Sequence, residues 1–182
     1  MTRAAMRFEE WTTNLAGDLA ATFVLSGDAR IATQGRRFLA AALGYSLTQL
    51  DLIPDHEQAG SVDDAIVLRI AFGLAAEHAA RAAVEDATRF ARMTNDEDEV
   101  RQFLGDTLYA KARRFVLELA DKEVRGRSTD HVIVPGRARD DLKRELEGAA
   151  RRIKKADPGS DAKSQEALEV SVKSYFSMKL GG

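Results

Sequence analysis

Apolar residues recur three and four positions apart almost from the start of the chain. Phe8, Trp11, Leu15, Leu19 and Phe23 form one such stripe, which predicts an amphipathic helix over about residues 4–25. Ser26-Gly27-Asp28 ends it and offers Ser26 or Asp28 as the next N-cap. Ile31, Phe38, Leu39, Ala42, Leu43 and Leu47 carry the helical period on to about Leu50. Pro54 then forbids a continuous helix and pushes Ile53 toward extended backbone, so Asp51–Gly60 is expected to be a loop. Ser61, with Asp64 three residues on, reads as an acidic capping box. The apolar run from Ala65 through the alanines up to Ala83 predicts the next helix, with Glu77–Arg81 and Glu85–Arg89 as i,i+4 pairs.

Asn95 looks like a further helix start, because Asp96, Glu97, Asp98 and Glu99 would fill a first turn where the dipole favours anions. Its apolar face would be Val100, Phe103, Leu104, Leu108, Phe115 and Leu119. The pattern breaks over Arg125–Gly136, an expected connector with His131–Val134 as a short extended piece. A basic helix over about 137–156 ends at Asp157-Pro158-Gly159-Ser160, and a last helix runs from about Asp161 to Lys179. The expectation is an all-α protein of about six helices: a bundle over residues 1–125 and a C-terminal helical hairpin over 136–182.

Composition adds exclusions. The 182 residues include no cysteine, which removes disulfides, thiolate metal sites and cysteine nucleophiles. The longest charge-free stretch, Phe38–Leu50, has 13 residues against the roughly 20 needed to span a bilayer. No secretory signal pattern precedes the first helix, and a cytoplasmic location without a transmembrane segment is expected. The net charge of −2 hides an asymmetry: residues 1–90 carry 8 basic and 12 acidic side chains, while Arg137–Lys155 carries 8 basic and 4 acidic.

The acidic side of that asymmetry concentrates in Leu50–Leu68. Asp51, Asp55, Asp63 and Asp64 fall within 14 residues, together with His56 and Glu57. Antiparallel helices on either side of the turn would bring the carboxylates together. Two readings follow: they cap helix ends and turns, or they hold a divalent cation, Mg, Ca or Mn, with His56 as a further ligand. The spacing matches neither an EF-hand loop nor an HExxH helix.

Along this turn the chain resembles the YkvA-like family, a bacterial domain of unknown function. Tyr45, Leu47, Leu50, Asp51, Leu52, Ile53, Pro54, Asp55, Gly60, Asp63 and Asp64 stand in the family's pattern of D-L-I-P-D followed by G-x-x-D-D. The likeness covers roughly Phe38–Ala76. Thr48-Gln49 replaces the usual Ser-Pro, the turn is one residue shorter, and His56-Glu57-Gln58 replaces residues that are usually apolar. The resemblance implies the helical fold and singles out the aspartates. Its suggestion of membrane association is weakened by this polar turn.

Elsewhere, His78 lies within an apolar helix without an identifiable acid, and Ser128, Asp130 and His131 are close in sequence but need to converge in space to act together. Arg137, Arg139, Lys143, Arg144, Arg151, Arg152, Lys154 and Lys155 offer a basic partner surface. The favoured expectation is a non-enzymatic protein acting through protein–protein contact or self-association, with no cofactor. A metal-binding protein or metal-dependent enzyme built on the Asp cluster is the alternative. Peripheral membrane or nucleic-acid binding through the basic helix comes third, nucleic acid being disfavoured without a recognition motif.

Overall fold

The computed structural model describes residues 2–48, 52–54, 57, 59–79, 87–153, 156–159 and 161–181. The described residues form an all-α bundle of eight helices: α1 (Arg3–Ser26), α2 (Thr33–Tyr45), α3 (Val62–Ala76), α4 (Ala87–Leu104), α5 (Asp106–Leu119), α6 (Thr129–Val132), α7 (Arg137–Ala150) and α8 (Ala162–Leu180). None of them is long and apolar enough to cross a membrane. The stripe Phe8, Trp11, Leu15 and Leu19 faces the core as its period requires.

Helix α3 is the axis of the bundle. It packs against α1, α2, α4 and α5, and every residue from Ala65 to Ala75 is buried. A helix covered on all sides has no wet face, which explains its long apolar run. It also means that Arg69, within that run and 0% exposed, has to find its counterions inside the protein. Helix α7 packs on α1 and α6, whereas α8 packs on α5 and α1.

Several elements differ from the sequence reading. The count is eight helices and not about six, chiefly because Gly105 divides the expected helix after Asn95 into α4 and α5. Gly105 has φ 76°, a left-handed conformation that costs other residues about 1–2 kcal/mol. A β-carbon there would meet nothing within 4 Å. Gly105→Ala is therefore expected to lower the unfolding free energy by about 1–2 kcal/mol through backbone strain alone, measurable by urea denaturation. Gly105→Asn, better tolerated in this region, should cost less.

Helix α4 begins at Ala87 and not at Asn95, so the acidic run lies mid-helix, and Asp96 is drawn inward by Arg69 (3.1 Å). Helix α2 ends at Tyr45, short of Leu50. Its N-cap is Ala32, not Ser26 or Asp28; the Asp28 carboxylate instead accepts the Arg30 amide (2.9 Å). Ser61 precedes α3 but makes no side-chain cap. Helix α3 stops at Ala76 and not Ala83; of the two expected i,i+4 pairs, Arg81 and Glu85 lie outside the described residues, and Glu77 pairs with Arg113 on α5. His131–Val134 is not extended: Thr129–Val132 closes a helical turn capped by Ser128. Helix α7 ends at Ala150 and not 156. The last helix starts where expected, its Asp161 side chain accepting the Ser164 amide (2.9 Å).

Candidate functional site

Of the expected metal ligands, Asp51, Asp55 and His56 lie outside the described residues. Asp64 is half-buried in the first turn of α3, and Asp63 is fully buried. The Tyr45 hydroxyl, at the end of α2, donates to Asp63 Oδ2 (2.5 Å), and the Ile53 amide donates to the same oxygen (3.0 Å). The Leu52 amide in turn donates to the Tyr45 hydroxyl oxygen (2.7 Å). Asp63 thus reaches back from α3 to brace the Leu52-Ile53-Pro54 segment against α2. Burial, followed by the neighbouring Asp63 charge, holds the Tyr45 phenol well above its ordinary pKa, so it stays a hydrogen-bond donor. Among the described residues no group of three or more His, Asp or Glu side chains is placed to hold a metal ion.

The basic helix is also divided in its duties. Arg139 does not belong to an outward face. Its guanidinium donates to the Phe23 (2.5 Å) and Val132 (2.9 Å) carbonyls and to Ser26 Oγ (3.1 Å) and lies 4.1 Å from the Phe23 ring centroid. It caps the C-terminus of α1, where a cation suits the dipole; burial, and then the neighbouring Arg36, lower its pKa. Arg137 and Arg144 both pair with Asp141. Lys143, Arg151 and Arg152 are exposed, with no ion-pair partner among the described residues. Lys154 and Lys155 lie outside them.

The remaining candidates resolve into local contacts. Ser128 Oγ lies 3.1 Å from His131 Nδ1, but Asp130 turns away to Arg37 (3.3 Å), so the three do not form a relay. His78 is exposed and rests beside the Phe38 ring, the centroids 5.9 Å apart.

Sequence reasoning missed a largely buried cluster of charges at the centre of the bundle. Arg69 on α3 donates to Asp96 Oδ2 on α4 (3.1 Å), to the Ala65 carbonyl (3.0 Å) and to Asp18 Oδ2 on α1 (3.5 Å), and it lies 4.4 Å from the Trp11 ring centroid. Arg92 closes the cluster by reaching Asp18 and Asp96. Burial lowers the Arg69 pKa to about 10 against the pull of Asp96 and Asp18, and burial raises Asp18 against Arg69 and Arg92. Beside the cluster, Glu97 accepts the Tyr109 hydroxyl (2.5 Å) and lies over Gly73, where a β-carbon would collide with its carboxylate. The one signal in the sequence was a lone arginine inside an apolar run.

Burial also raises the Glu97 pKa, with the Tyr109 hydrogen bond and Arg113 opposing it. A carboxyl whose folded pKa is raised stabilises most below its unfolded pKa of 4.5 and loses that contribution as pH rises through the folded value. Glu97→Gln should therefore gain stability relative to wild type as pH is raised from 5 to 8, checked by urea melts of both proteins at each pH. A constant difference would refute it.

No protein-family model matches the chain, and no curated protein and no solved structure matches it.

Proposed function

We propose that the chain is a non-enzymatic helical scaffold that acts in the cytoplasm through contact with another protein. The observation that supports this reading is the outer face of α7. The helix packs through Leu142 and Leu146 and leaves Lys143 and Arg144 exposed, with Arg151 and Arg152 exposed just past its end. Val24 and Val134, 45% and 47% exposed, follow Phe23 and Val132, whose carbonyls Arg139 holds at the start of the same helix. Exposed cations along α7, with exposed apolar side chains near its start, suit an amphipathic partner segment carrying acidic residues, since charge complementarity steers encounter while buried apolar contacts hold the complex. The turn that resembles the YkvA-like domain is, in this reading, an internal brace.

The test compares wild type with a charge-reversed variant carrying Lys143→Glu, Arg144→Glu, Arg151→Glu and Arg152→Glu. Proteins captured by each are identified and purified, and their affinities measured by calorimetry. A partner bound through an acidic segment, at least about tenfold more weakly by the variant, is expected. Equal affinity of the two proteins for every captured partner would overturn the proposal.

A further inference from the structure

Helix α8 carries apolar side chains on two opposite sides. Gln165, Leu168, Val172 and Phe176 are buried, where the helix packs on α5 and α1. The other side presents Lys163, Ala167, Val170, Ser174 and Ser177, all exposed and spaced four, three, four and three residues apart. That spacing is the seam of a helix-to-helix contact. Val170, at the middle of the seam, is 57% exposed, and Met178 at its edge is 65% exposed. They are the two most exposed large apolar side chains among the described residues.

The charges beside the seam select what covers it. Glu166 stands four residues before Val170 and Lys173 three after it, so both lie about 40–60° to the same side. Both are exposed, with no ion-pair partner among the described residues. The other charges on that side are engaged: Glu169 accepts the Thr2 hydroxyl, and Arg3 and Arg7 hold Glu99. The Lys173 ammonium rests 4.8 Å from the Phe103 ring centroid, a weak contact at an exposed site. A second α8 laid antiparallel, with the two-fold axis at Val170, sets Val170 against its own copy. Glu166 then comes within about 2 Å of the level of Lys173 of the other copy. It lies on the same side, and the symmetry repeats the pair. Parallel helices would instead oppose like charges. Lys163 falls opposite Ser177 of the other copy, where its ammonium reaches water.

We propose that the outer face of α8 docks a second copy of this chain, antiparallel about Val170, with Glu166 and Lys173 paired across the axis. A single helix pair falls at the small end of specific interfaces, below roughly 1,200 Å², so the association is weak and reversible. The face is separate from that of α7 and does not depend on the scaffold reading.

Sedimentation equilibrium of the full chain is expected to show a monomer–dimer equilibrium with a Kd of about 0.1 mM. Lys173→Glu should weaken it about tenfold, because it sets like charges across the axis. The double variant Glu166→Lys, Lys173→Glu exchanges the pair and should restore wild-type affinity, which a contact with any other surface would not do. All three positions on this side of α8 are exposed, so these variants and Val170→Cys should keep the wild-type unfolding midpoint. The chain has no cysteine, so Val170→Cys carries one thiol per chain at the axis. Diamide, which takes one hydrogen from each of two thiols, should link Val170→Cys into a disulfide dimer. Lys163→Cys should link far less, its two copies standing about 20 Å apart. A chain that stays monomeric up to about 0.5 mM, no rescue by the charge exchange, or equal linking of the two cysteine variants overturns the proposal.

Discussion

Replacing Arg69 with leucine is expected to lower the unfolding free energy by about 3–5 kcal/mol, the range for removing one partner of a buried ion pair. The side chain is 0% exposed and stands between Asp18 and Asp96, which are 2% and 7% exposed. Without it, two carboxylates remain in the interior, and Arg92, the other described arginine that reaches both, is itself 34% exposed at the side chain. The Trp11 ring also loses the guanidinium that packs on it at 4.4 Å. For a chain of this length the midpoint of thermal unfolding should fall by about 10 °C. Arg69→Lys should recover only part of the loss, because a single ammonium cannot reproduce a planar fork shared between two carboxylates, a backbone carbonyl and an indole face. The triple variant Arg69→Leu, Asp18→Asn, Asp96→Asn should be more stable than Arg69→Leu alone, since the buried negative charge goes with the positive. Urea denaturation at pH 7 decides this. A loss below about 1 kcal/mol for Arg69→Leu would mean that the cluster is not the counterion system described.

This arginine also shows where the sequence stopped being readable. Helical periodicity, caps and breakers act within a few residues, so the stripe of α1 and the Asp161 cap of α8 could be found by spacing alone. Arg69 gives no such local signal of its role, because its partners are 27 and 51 positions away, and no local rule connects them. The acidic run at 96–99 read as a helix start for the same reason. Local chemistry favours anions at an N-terminus, whereas Asp96 answers a charge on α3 and Glu97 a hydroxyl on α5. Arg139 looked like one more cation on a basic helix, although its destination is a set of carbonyls more than a hundred residues earlier and in the preceding turn. In the acidic turn, the sequence placed Tyr45 and Asp63 in one motif but could not tell a brace from a ligand set. That choice depends on which way a carboxylate points across a ten-residue turn.

The brace carries the second large effect. Asp63→Ala is expected to cost about 2–4 kcal/mol, because it leaves the Ile53 amide without its acceptor and the Tyr45 hydroxyl without the oxygen it donates to. All three groups are buried, so water cannot readily replace the missing carboxylate. Tyr45→Phe should cost less, about 1–2 kcal/mol; it removes the acceptor of the Leu52 amide but leaves Asp63 its bond from Ile53. A double-mutant cycle should return a coupling of at least about 0.5 kcal/mol, as for residues in direct contact. The pH dependence separates this contact from simple packing. With its folded pKa raised above the ordinary value of 10, Tyr45 holds its proton more tightly in the native state than in the unfolded chain. Its contribution is whole below about pH 10 and is lost as pH climbs beyond it. Wild type should therefore lose stability faster than Tyr45→Phe between about pH 9 and 11, followed by urea melts across that range. Parallel curves would show that the phenol does not carry the turn. A steeper wild-type curve would show that the hydroxyl–carboxylate contact adds to the packing of α2 on α3, because the Leu52 and Ile53 amides donate to its two oxygens.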